Sequence, residues 1–108
     1  MAVKLTLLIA LAIAALTLTS PGAPEPGIAG FDKLGHFVAF AVLAMPMAYT
    51  GRLPLWQIVL AGLAFGGMIE VIQPYVGRRG EWGDLLADGI GVLSGALAAG
   101  LGRKWRMT

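Results

Sequence analysis

Apolar residues fall along the chain in four long runs, at about 5–19, 34–50, 53–73 and 85–101, divided by short polar or Pro/Gly-rich connections. A helix that crosses a bilayer takes roughly 17–25 residues, so the last three runs qualify by length and the first is marginal. The pattern predicts helices over about 4–20, 33–50, 53–73 and 84–102 within one domain spanning 1–108. The predicted fold class is therefore all-α, an integral membrane four-helix bundle. No internal repeat is evident.

The connections say how these helices follow one another. Pro21, Gly22, Pro24 and Pro26 crowd the first of them. Proline lacks an amide hydrogen and clashes with the preceding turn, so the first helix has to stop there. The second connection, 51–54, is short enough to force helices two and three to be antiparallel neighbours. The third, 74–83, carries Arg78, Arg79 and Glu81. Pro46 lies inside the second run and is expected to kink that helix, a fault that packed neighbours tolerate in a membrane.

Composition sharpens the membrane reading. The chain is 57% hydrophobic and only 13% charged, with a mean hydropathy of +0.79. Soluble domains carry about 25% charged residues, so there is too little polar surface here to cover a water-facing globule. The absence of cysteine excludes disulfides, thiolate metal sites, a lipoprotein anchor and a cysteine nucleophile. The net charge of +2 would hint at nucleic acid in a soluble protein. Here the bases sit beside apolar runs and read as topology and headgroup residues, so no nucleic-acid partner is expected.

Those bases also orient the bundle. Lys4, Arg52, Arg103, Lys104 and Arg106 would share one side, and Lys33, Arg78 and Arg79 the other. The richer side is expected inside, giving N-in, C-in. Tyr49, Trp56 and Trp105 then fall at the inner interface, and Tyr75 and Trp82 at the outer one, where amphipathic aromatics settle. The first run also has a rival reading as a cleaved secretory signal. Pro21 would fall in the cleavage pattern, so a retained helix is the expectation.

Once this topology is drawn, the chemistry gathers at the outer end. Asp32, Lys33 and His36 stand on helix two, Glu70 and Gln73 on helix three, Arg78 in the loop, and Asp84 and Asp88 on helix four. Gly62, Gly66 and Glu70 are spaced by four, with Gln73 three further on, and share one face. Asp84, Asp88, Gly91 and Gly95 likewise share a face of helix four. In lipid such small-residue faces mark close helix contact, so the acids extend packing seams and should face the bundle. The same seams could also mediate a homo-oligomer. Buried ionisable groups persist more easily when paired, and Lys33 and Arg78 are the cations available.

Each residue has a plainer reading as well. Asp84 reads equally as a helix N-cap. Glu70 with Gln73 reads as a structural ion pair with a hydrogen-bonding neighbour. His36 reads as an interfacial histidine satisfied by an acid. Arg79 and Glu81 read as solvated loop charges, and Lys33 as a snorkelling lysine.

The ordered blocks Asp32-Lys33-Leu34-Gly35-His36-Phe37 with Ala39-Phe40, Glu70-x-x-Gln73, Gly77-Arg78, Asp84-Leu85-Leu86-Ala87-Asp88, Gly91 and Gly95 resemble the VanZ-like family of small bacterial membrane proteins. The resemblance covers about residues 30–96; helix one matches only in position and hydrophobicity. Many members carry Asn where this chain has Asp88, a departure that adds a negative charge and removes an amide. The resemblance implies a multi-pass protein of the bacterial cytoplasmic membrane and cell envelope. Its founding member is associated with low-level resistance to the glycopeptide antibiotic teicoplanin, and the biochemical activity of that member is not established.

Three functions follow as expectations. The first is a binding module, in which Asp32, Lys33, His36, Glu70, Gln73, Arg78, Asp84 and Asp88 hold a membrane lipid headgroup, a lipid-linked cell-wall precursor or a glycopeptide. Arg78 would fork onto phosphate and Lys33 would act as a point charge. The second is a membrane-embedded enzyme with His36 as base and Asp32 or Asp88 as its orienting acid. Asp84 and Glu70 could make a carboxylate pair, or a metal site with His36; that metal reading ranks last, and no metal or cofactor is expected. The third is a small exporter, which calls for an acid near the midplane. The middle of helix one offers only Leu, Ile, Ala and Thr, which argues against it.

Overall fold

The computed structural model describes residues 1–19, 31–76 and 82–107. They form four α-helices: α1 (Ala2–Thr19), α2 (Phe31–Thr50), α3 (Leu55–Ile72) and α4 (Trp82–Arg106). A 3-10 turn, Gln73–Val76, follows α3. There is no strand among the described residues, and the fold is all-α.

The element ends have local causes. The third helix starts at Leu55, two residues later than the hydropathy pattern suggests, because Pro54 stands extended as its N-cap (φ −67°, ψ 152°). A residue that precedes proline is driven out of the helical region, which excludes Leu53. At its far end Pro74 cannot supply the amide for the next helical bond, and the chain tightens into the 3-10 turn from Gln73. The fourth helix runs on to Arg106, with Arg103, Lys104 and Arg106 in its last turn, where cations are favourable against the helix dipole. Gly51 ends α2 with φ +69°, and its amide donates to the Ala48 carbonyl at 3.2 Å. This left-handed closure costs glycine nothing. The α2 helix is continuous from Phe31 to Thr50 across Pro46.

The most extensive interface joins α2 and α4, which lie side by side and parallel. At one end His36 meets Asp88; at the other, Arg106 Nη1 donates to Tyr49 Oη at 3.2 Å. Gly91 and Gly95 make this approach possible. A Cβ on Gly91 would collide with the Phe37 carbonyl, and one on Gly95 with the Ala41 carbonyl. The α3 helix packs against α4 through its own seam. Gly62 abuts Val92, and Gly66 abuts the Asp88 carboxylate. Both glycine faces are thus taken up by contacts within the chain.

The α1 helix lies against α2 and contributes Ile13 to a small core centred on Phe40, Ile69 and Val92. Around that core the outer surface is apolar: Leu8, Leu60, Val71, Leu86 and Leu97 are all at least half exposed. The segments Leu55–Tyr75 and Trp82–Arg106 are long and apolar enough to cross a membrane, and only 28% of each is buried inside the protein. The core helix of a soluble domain would be mostly buried. An apolar surface on this scale instead marks contact with lipid or another apolar partner. The apolar α1 helix is shorter.

Candidate functional site

The parallel alignment of α2 and α4 brings their first turns to the same end of the bundle, and antiparallel α3 delivers its last turn there. His36 therefore faces Asp84 and Asp88, and Glu70 comes up beside them. The His36 Nδ1 and Asp88 Oδ1 atoms are 2.8 Å apart, a hydrogen bond from ring N–H to carboxylate. On the far side of the ring, Nε2 lies 3.5 Å from Asp84 Oδ2. Lys33 Nζ lies 3.5 Å from Asp84 Oδ1. One donor atom each from His36, Glu70 and Asp88 falls within 4.8 Å of the other two.

Burial makes the cluster consequential. Glu70 and Asp84 are each 4% exposed and Asp88 is 0% exposed. Lys33 stands at the rim, with its side chain 40% exposed. Charges in such a setting need partners, because removing one partner of a buried pair leaves an uncompensated ion. Asp88 Oδ2 has no hydrogen-bond partner among the described residues.

Several plainer readings can now be decided. Asp84 is the third residue of α4, so it is not the N-cap; its oxygens reach Lys33 and His36. Its place in the first turn still suits an anion. Gln73 is fully buried, and its Nε2 donates to the Thr17 carbonyl of α1 at 3.3 Å. That amide ties α1 to the end of α3. Lys33 does more than extend into a headgroup layer, since it is paired with Asp84. Asp32 lies in the first turn of α2, but its side chain falls outside the described residues, as do Arg78, Arg79 and Glu81.

Two aromatic side chains also belong to the site. Phe40, one turn beyond His36, stacks on the imidazole with ring centres 6.4 Å apart and planes 12° apart. Phe65 of α3 lies 5.9 Å beyond Phe40. They form an apolar floor beside the imidazole. The signal for Phe40 was present in the sequence as an i, i+4 pair with the only histidine. For Phe65 there was no local signal, because its place depends on how α3 docks.

Among the described residues the arrangement sets three buried carboxylates beside one lysine and one imidazole. It can take hydroxyl, amide or ammonium hydrogens, or a cation. The imidazole has a carboxylate at each nitrogen, Asp88 at 2.8 Å and Asp84 at 3.5 Å, and to act as a general base it would turn one of those nitrogens to a substrate.

No curated protein and no solved structure matches the chain. The family model described as VanZ/LLP1 matches residues 3–103, which takes in all four helices, and the chain belongs to the VanZ/LLP1 family.

Proposed function

We propose that this protein crosses the bacterial cytoplasmic membrane on all four helices, with both termini inside. Its polar site would recognise the head of a membrane-resident amphiphile near the outer surface. The candidate heads are those of an anionic phospholipid, a lipid-linked cell-wall intermediate or a membrane-bound glycopeptide, the last consistent with a role in resistance. The observation that carries this reading is a buried polar cluster from α2, α3 and α4, set in an otherwise apolar bundle with Lys33 at its rim. Carboxylates inside would accept hydrogens from sugar, amide or amine groups. Lys33, joined by Arg78 from the following loop, would attract phosphate.

The test is native mass spectrometry of the protein released from nanodiscs of mixed phosphatidylglycerol and phosphatidylcholine. Wild type should retain phosphatidylglycerol selectively, and Lys33→Ala with Arg78→Ala should lose that selectivity. Retention that is unchanged in the double variant would sink the headgroup reading.

The His36–Asp88 hydrogen bond at 2.8 Å supports a second reading, as a lipid-modifying enzyme with His36 as its base. An activity on a lipid pyrophosphate that disappears in His36→Gln would favour it over simple binding.

A further inference from the structure

We propose that His36, Glu70 and Asp88 form a binding site for a divalent transition cation, of the Zn2+ or Mn2+ class. This inference stands apart from the identity of any amphiphile. Each ligand comes from a different helix, and their donor atoms already lie within 4.8 Å of one another. A four-coordinate ion with bonds of about 2.0–2.2 Å holds its donors roughly 3.4 Å apart, so edges of that triangle would close by up to about 1.4 Å. One imidazole nitrogen with carboxylate oxygens suits zinc or manganese better than calcium or magnesium, which prefer oxygen alone.

Three features beyond proximity point to a cation. First, Asp88 Oδ2 is buried with no hydrogen-bond partner among the described residues, in a side chain that is 0% exposed. It is turned toward α3, 2.6 Å from where a Cβ on Gly66 would stand. Gly66 is one turn from Glu70 on the same face, so this oxygen is aimed into the space that Glu70 borders. Second, two carboxylates with oxygens within 4.8 Å of each other favour positive charge placed between them. Third, the imidazole is held from behind. Its Nε2 faces Asp84 Oδ2 at 3.5 Å, while Nδ1 faces the acids of the proposed site. A carboxylate on the nitrogen opposite the metal is the usual means of fixing a metal-bound histidine. Asp84 thus orients the ring, and Lys33 anchors Asp84.

The hydrogen bond from His36 Nδ1 to Asp88 Oδ1 keeps a proton on the nitrogen a cation would take. Binding therefore displaces that proton, because a nitrogen ligand must be unprotonated. Three protein donors also leave at least one position of a four-coordinate ion open for water or a ligand oxygen.

The experiment uses the full chain in dodecyl maltoside micelles, stripped with EDTA and titrated with Zn2+ by calorimetry in two buffers of different ionisation enthalpy. One Zn2+ should bind per chain with release of protons. Glu70→Gln and Asp88→Asn should each weaken binding roughly tenfold or more, and Lys104→Ala, at the opposite end of the bundle, should not. The chain has a single histidine, so Mn2+ should broaden one set of imidazole proton resonances in the wild-type protein, a readout that needs no variant to fold. Binding well below one ion per chain, a folded Asp88→Asn with wild-type affinity, or an imidazole untouched by Mn2+ would each overturn the proposal.

Discussion

Replacing Gly95 with alanine adds one methyl group where two backbones touch. The new Cβ would stand 2.7 Å from both the Cα and the carbonyl carbon of Ala41, and closer still to that carbonyl oxygen. Ordinary contact for such atoms is 3.4–4 Å, so α2 and α4 would have to part by the better part of an ångström. No rotamer can relieve the clash, because the obstructing atoms are main chain. Overpacking of a tight interior costs about 1–3 kcal/mol. Alanine's better helix propensity returns roughly 0.5–1 kcal/mol. A net loss of about 1 kcal/mol is expected. Gly100, on the same helix, has nothing within 4 Å of its hypothetical Cβ, so Gly100→Ala should gain about 0.5–1 kcal/mol. The same substitution, five residues apart, should therefore act with opposite signs. The difference is the overpacking cost alone, about 2 kcal/mol, which corresponds to roughly thirtyfold in the unfolding equilibrium. Reversible unfolding in mixed dodecyl maltoside and dodecyl sulfate micelles, followed by far-ultraviolet circular dichroism, measures both. Equal effects at the two positions would refute the claim that Gly95 is needed for backbone approach.

Two further variants test the site's surroundings. Phe40 is 0% exposed and stacked on His36, so Phe40→Ala should cost about 3–5 kcal/mol in the same unfolding assay; a loss under about 1 kcal/mol would mean the aromatic floor is not packed as described. Gln73→Leu removes the hydrogen bond to the Thr17 carbonyl and should cost about 1 kcal/mol. It should also speed deuterium exchange in the last turns of α1 while leaving α2 and α4 protected; unaltered exchange in α1 would show that this amide does not dock it.

How much of this was legible in the sequence depends on the range of the signal. Four apolar runs gave four helices, because hydrophobic length and proline placement act locally. The ends moved by a few residues where Pro54 or the terminal bases decided them. The inward turn of Glu70 and Asp88 was legible too, since each continues a row of glycines at helical spacing. Pairing was legible only in part. Spacing placed Asp84 and Asp88 on one face, but which nitrogen of His36 each would meet depends on the offset between α2 and α4. The bulk excluded at Gly91 and Gly95 sets that offset, because it lets Phe37 and Ala41 press backbone to backbone. Sequence reasoning offered Asp32 or Asp88 as the acid on His36, and Asp84 with Glu70 as a carboxylate pair or a metal set; the structure puts Asp88 on the imidazole, and the close trio contains Asp88 rather than Asp84.

That offset makes the packing seam and the polar site one device. Gly91 lies three residues beyond Asp88, and Phe37 is the neighbour of His36, so the contact that seats α4 on α2 also sets the His36–Asp88 distance. The seam between α3 and α4 acts on the same carboxylate, because Gly66 abuts Asp88. A side chain at either glycine would push Asp88 away from its partners. Loss of the site should therefore appear at seam positions that carry no polar atom in their side chains. Glycine faces in membrane helices are usually explained by association alone. Here the same faces fix the distances between buried charges, and a cluster this dependent on pairing can persist only where those distances are held.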